Sequence, residues 1–186
     1  MDGEKILEVA NLYRKLFKIG GVYPNISPIC RRKIPTSFRE AMVILDQRKL
    51  QRKGVYLKEY PYDRAPLSKE DILCHCRTMI IKAREFAKNG KERKSLRWLG
   101  FVAGCIYRID KQPKNQKNHE MISRRALWSN SCALLPIIEA LVKEGNLDKA
   151  FWSLGWVQGI LWSTGFYTIE ELMNHNKPVE EFNKEK

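Results

Sequence analysis

A six-residue motif occurs twice in this chain and limits the fold more than any other feature. Leu99-Gly100-Phe101-Val102-Ala103-Gly104 returns as Leu154-Gly155-Trp156-Val157-Gln158-Gly159, 55 positions later and without a gap. The same offset places Lys88 on Lys143, Gly90 on Gly145 and Lys94 on Lys149, and it matches residues 83–87 to 138–142 in type. A period of this size marks a repeated supersecondary unit. Each copy reads as helix, glycine turn, helix. The expected fold is therefore all-α: a duplicated helical hairpin forming a four-helix core, with N-terminal helices before it and a short C-terminal helix after it.

Local signals fill in the rest. Apolar residues from Ile6 to Phe17 recur at helical spacing and predict a helix over about 4–18, stopped by Gly20-Gly21. A loop with Pro24, Pro28 and Pro35 follows. Ser37-Phe38-Arg39-Glu40 has the form of a capping box and predicts a second helix to about Lys53; residues 55–60 alternate weakly, as an extended segment would. Ser68-Lys69-Glu70-Asp71 opens the first copy, about 67–110, and the second spans about 122–165. Between them 111–118 is polar, basic and broken by Pro113, the clearest linker in the chain. Pro136 is expected to kink or restart its helix. Thr168-Ile169-Glu170-Glu171 caps a last short helix. This divides the chain into a basic N-terminal segment (1–66), the duplicated core (67–176) and a charged tail (177–186).

The repeated glycines demand an explanation. Glycine inside a helix costs about 0.5–1 kcal/mol relative to alanine, and four stand at matched positions, Gly100, Gly104, Gly155 and Gly159. Residues 96–109 are apolar around nearly the whole helix circumference, with a narrow polar strip at Arg97 and Arg108. One reading is that the two glycine helices cross each other about a pseudo-two-fold axis. A second is that the glycines floor a shallow pocket, with Arg97 and Arg108 on one side and Trp152 and Trp162 on the other, a cradle for a phosphate and a base. The two can coexist.

Charge points towards a partner. The net charge is +13, distributed as +7 over residues 1–70, +9 over 71–126 and −3 over 127–186. One cationic face is implied, of the kind that attracts nucleic acid, a nucleotide or an acidic protein surface, although a basic face also serves simply to keep a protein solvated. The candidate phosphate contacts are Arg31, Arg32, Lys33, Lys91, Arg93, Lys94, Arg97 and Arg108.

Signals for chemistry are sparse. Cys74-His75-Cys76 has two thiols two residues apart, which a helix points to nearly opposite sides, so no zinc site or other metal is expected. Five cysteines at irregular spacing do not suggest a disulfide framework, and a cytoplasmic setting is the expectation. No apolar run approaches a membrane span. There is no phosphate-binding loop G-x-x-x-x-G-K-[ST], no dinucleotide fingerprint and no nucleophile–histidine pairing, so neither a cofactor nor an enzymatic reaction is expected. No recognition-helix or RNA-binding aromatic motif supports sequence-specific readout.

Residues 152–162, with Thr168-Ile169-Glu170-Glu171-Leu172 and His175-Asn176 after them, resemble a C-terminal signature of small phage and prophage proteins. Its typical form is W-L-G-F-x-Q-G-x-L-W, then T-x-x-E-L and H-N. The first copy matches as Trp98-Leu99-Gly100-Phe101-Val102-Ala103-Gly104, with Ala103 where glutamine is usual, and the second has Ser153 before its leucine where the signature has tryptophan. The likeness covers about 88–176. It implies a phage origin and the host bacterial cytoplasm, and it carries no site. The resulting expectation is a non-enzymatic phage accessory protein, for host takeover or anti-defence, that binds nucleic acid or a phosphate-rich ligand. The alternatives are an inhibitor directed at a host enzyme or defence complex, or an oligomer that sequesters nucleotides.

Overall fold

The structure is a computed structural model that describes residues 2–19, 34–45, 68–110 and 120–177. These residues form seven helices and no strand: α1 (Gly3–Ile19), α2 (Phe38–Ile44), α3 (Lys69–Lys88), α4 (Glu92–Asp110), α5 (Glu120–Lys143), α6 (Leu147–Ser163) and α7 (Ile169–His175). The fold is the duplicated hairpin, α3–α4 and α5–α6, packed as a four-helix core.

The two copies match in backbone detail. α3 ends at Lys88 and α5 at Lys143; α4 begins at Glu92 and α6 at Leu147. Both turns are Schellman motifs. Lys91 N–H donates to Phe86 O and Asn146 N–H to Leu141 O, each at 2.8 Å. Gly90 and Gly145 sit inside these turns at φ of 70° and 72°, in the left-handed region that glycine enters at no steric cost. The ion pair between Arg93 and Asp148 (3.2 Å) joins two residues at equivalent positions of the two copies, so it lies across the symmetry axis.

The four helical glycines are where α4 and α6 cross. A methyl group on Gly100 would land on the Trp152 carbonyl oxygen, and one on Gly104 on that of Trp156. In the same way, Gly155 faces the Arg97 carbonyl oxygen and Gly159 that of Phe101. Shifting one pair of contacts by the repeat offset gives the other pair, so the crossing is itself two-fold symmetric. Each glycine turns a Cα hydrogen towards a carbonyl oxygen of the other helix, a weak attraction available only at this approach.

The remaining helices are laid around this crossing. Ser68 accepts from Asp71 N–H (3.0 Å) and caps α3. At α7, Thr168 and Glu171 form a complete capping box. At α2 the box is displaced by one residue: Ser37 accepts from Glu40 N–H, but the Glu40 carboxylate takes the N–H and hydroxyl of Thr36. α5 runs unbroken through Pro136, which corrects the expected restart. Proline deletes one hydrogen bond of such a helix, and the surrounding core side chains Leu134, Leu135 and Ile138 hold both halves in place. α1 belongs to the same core, with Ile6, Val9, Ala10 and Tyr13 buried and Arg14 paired with Glu139 at 2.6 Å. α2 ends at Ile44, where the backbone of Leu45 turns extended, well short of the expected Lys53; residues 46–67 with the expected extended segment, the linker and the tail lie outside the described residues. Among the described residues no helix is long and apolar enough to cross a membrane.

Candidate functional site

The basic residues expected to meet phosphate separate into distinct environments. Lys91, Arg93 and Lys94 are exposed at the start of α4, beside exposed Lys82, Arg84 and Lys88 on α3. Six cations thus surround the first hairpin turn, with Glu85 and Glu92 among them. Glu92 accepts from Phe38 N–H (3.3 Å) at the start of α2, and Arg93 is held by Asp148. Lys91, just before α4, and Lys94 and Arg97 within it follow one another at a spacing of three and so form a stripe. Burial pushes the Lys94 ammonium below its usual range, and the neighbouring cations Arg97 and Lys91 push it further.

Aromatic rings sit within this stripe. The Lys94 ammonium lies 4.3 Å from the centre of the Phe86 ring, and Phe86 meets Trp98 edge to face at 5.2 Å. Both rings are half-buried.

Two expectations need correction. Arg108 is 7% exposed, because α4 is enclosed at its last turns together with Ile106, Tyr107 and Ile109. It has no open face for a phosphate backbone. The glycine-floored pocket does not exist either: backbone of the opposite helix occupies the space above Gly100, Gly104, Gly155 and Gly159. Trp152 and Trp162 are core residues, the latter tilted by 43° against His75 with ring centres 4.6 Å apart. Arg31, Arg32 and Lys33 lie outside the described residues.

Arg97 does line a cavity, but on another side. The space, about 290 Å³, lies between α3, α4, α6 and α7 and is bounded by His75, Lys82, Arg97, Trp98 and Gln158 among others. Burial pushes the Arg97 guanidinium down to about 10, so it remains a cation at neutral pH. Burial, helped by Lys82, pushes His75 down to about 4 and keeps its ring neutral.

A buried polar chain borders the cavity, and its members come from distant parts of the sequence. Gln158 Nε2 donates to Tyr13 Oη and to Asn176 Oδ1, each at 3.0 Å. Asn176 Nδ2 donates to Leu172 O at 2.6 Å, and Tyr13 Oη shares a hydrogen bond with His175 Nδ1 at 3.3 Å. The polar residues of the phage-like signature, Gln158, His175 and Asn176, therefore meet in one place. Nothing in their spacing along the chain predicts the meeting. Cys74, Cys76 and Cys105 are buried thiols, and the described residues contain no cluster able to hold a metal.

Two of the three histidines, His75 and His175, lie among the described residues and set an expected acid response. Each has a folded-state pKa below the ordinary 6.5, His75 near 4 and His175 lowered by burial and by Lys5. The unfolded chain therefore takes up protons before the folded one does. Stability is full above about pH 6.5 and declines between there and about pH 4, below which His75 adds no further loss. Urea midpoints measured across this range should fall, and His75→Phe should flatten the fall. An undiminished slope in His75→Phe would remove His75 from the account.

No protein-family model, no curated protein and no solved structure matches this chain.

Proposed function

We propose that this protein binds nucleic acid, or another phosphate-rich ligand, through the cationic end of the α3–α4 hairpin and performs no chemistry on it. The observation that carries the reading is the cluster of exposed Lys82, Arg84, Lys88, Lys91 and Lys94 around one turn, with Phe86 and Trp98 set among them. The equivalent turn of the second copy carries Lys143 and Lys149 against Glu139, Glu144 and Asp148. The fold thus forms this turn with a nearly balanced charge, and the excess in copy one is an addition to what folding requires. Cations track the phosphates and half-buried rings offer a face to bases, a pairing that serves single strands without regard to sequence. In the broader setting suggested by the phage-like signature, the protein is an accessory factor acting in a host bacterium.

The test is fluorescence anisotropy of a labelled single-stranded oligonucleotide against salt. Four or five phosphate contacts give a log–log slope of about −3 for a single strand. Lys91→Glu with Lys94→Glu should weaken binding at least about tenfold and flatten the slope by roughly 1.4. Absence of binding at low salt would overturn the reading. In parallel, tagged protein is recovered from bacterial lysate with and without nuclease. A defined protein retained in stoichiometric amount after nuclease would favour an inhibitor of a host complex, with the same cations as its docking surface.

A further inference from the structure

We infer that the cavity between α3, α4, α6 and α7 is a binding site for a small anion with an apolar body, a carboxylate or a phosphate monoester. Its rim shares Lys82 and Trp98 with the surface proposed for nucleic acid, while Thr78, Phe101 and Gln158 belong to the cavity alone.

Three observations converge on it. The first is the shape and chemistry of the space. At about 290 Å³ it matches the lower end of small-molecule sites. Its walls are mostly apolar, with Trp98, Phe101 and Leu172 among them, and its polar groups are few. The second is charge. Among its described lining residues are two cations, Lys82 and Arg97, and no carboxylate. A guanidinium offers a planar fork of donors suited to either anionic head group.

The third is the internal repeat, which supplies a control within the same molecule. Moved by 55 positions, the cavity residues Thr78, Lys82 and Arg97 become Ala133, Ile137 and Trp152. At these positions the second copy packs apolar side chains, Trp152 being 6% exposed and Ala133 9% exposed. At these three positions the fold therefore tolerates apolar side chains, while the equivalents of His75 and Trp98 are the buried polar Asn130 and Ser153. A hairpin selected for packing alone would have no reason to place the half-buried Arg97 at such a position in copy one, since burying charge is costly; Lys82 stands at the exposed rim. Copy one has kept an opening and lined it with groups that receive an anion.

The bordering polar side chains complete the arrangement. Both amide hydrogens of Gln158 are spent on Tyr13 and Asn176, so it contributes its carbonyl oxygen to this region. Thr78 donates its hydroxyl proton to Cys74 O (3.3 Å) and keeps its oxygen as an acceptor. These acceptors suit a ligand whose body carries a hydroxyl or an N–H, and the two cations take its acidic end.

The protein is titrated with phenyl phosphate, benzoate and the neutral benzyl alcohol while the indole N–H resonances of its five tryptophans are followed by NMR. The Trp98 resonance is assigned from Trp98→Phe. We expect it to move with both anions, at affinities at least about tenfold above benzyl alcohol; the tighter of the two anions identifies the head group. Arg97→Met should bring the anions to the level of the alcohol. Lys82→Met, at the exposed rim, should lower anion affinity in the same direction by a smaller factor and does not depend on the buried arginine for folding. Thr78→Phe should fill the space and abolish the Trp98 shift while oligonucleotide binding persists. Equal affinity for the alcohol and the anions, or anion shifts that survive Thr78→Phe, would overturn the inference.

Discussion

Gly155→Ala should destabilise this protein by about 3 kcal/mol or more, an effect at the upper end for adding one methyl group. The added carbon would coincide with the Arg97 carbonyl oxygen. That atom belongs to helical backbone and cannot rotate away, so α4 and α6 must move apart along their whole contact. Alanine's better helix propensity returns only about 1 kcal/mol. Gly100→Ala, Gly104→Ala and Gly159→Ala should behave alike, since each meets a carbonyl oxygen in the same manner. Gly145→Ala is the informative contrast. No atom lies within 4 Å of its missing side chain, but its φ is +72°, so the cost is the left-handed conformation alone, about 1–2 kcal/mol. Gly100→Ala and Gly155→Ala combined should cost less than the sum of the two, because the first separation already makes room for the second methyl. Urea denaturation of these variants beside the parent measures all of this. A Gly155→Ala protein as stable as the parent would mean that the helices do not cross at the glycines.

The crossing was legible because glycine in a helix carries a cost and the cost recurs at one offset. A repeated penalty requires a repeated gain, and close backbone approach is the gain that only glycine permits. The capped starts of α3 and α7 were legible for a similar reason: Ser68 and Thr168 do local work, with partners three residues away. Arg108 shows where this reasoning stops. Its place on a narrow polar strip says that it differs from its neighbours, not that the strip faces water, and the packing around Ile106, Tyr107 and Ile109 encloses it. Pro136 is a second instance. Its local penalty is certain, but the core on either side of it decides whether the helix continues.

The cationic turn and the cavity were legible to different degrees. Lys88, Lys91 and Lys94 are close in sequence, so their crowding could be read from the chain. The cavity could not, because its walls come from α3, α4, α6 and α7, and no local pattern says which side chains of four helices fail to fill a common space. The comparison between copies then turns that accident of packing into evidence. One sequence builds the same hairpin twice, once closed with Trp152 and once open beside Arg97, so what differs between the copies is not dictated by the fold.

Gln158→Leu should cost about 2–4 kcal/mol although leucine suits the volume of the site, because it leaves two hydrogen-bonding groups without their donor. Tyr13 is fully buried, and its hydroxyl accepts from Gln158; Asn176 accepts from the same amide and in turn fastens the end of α7 to Leu172 O. The loss should be local as well as global. Amide hydrogen exchange in α7 should accelerate in Gln158→Leu more than exchange in α4, since α7 has one buried apolar anchor, Leu172, and depends on this chain of bonds. Tyr13→Phe provides the cycle. Removing the phenol alone strands the Gln158 amide, and removing the amide alone strands the phenol, whereas removing both leaves apolar surfaces in contact. The double variant should therefore be more stable than the sum of the single losses predicts, by about 1 kcal/mol or more. Strict additivity would mean that Tyr13 and Gln158 do not share a bond.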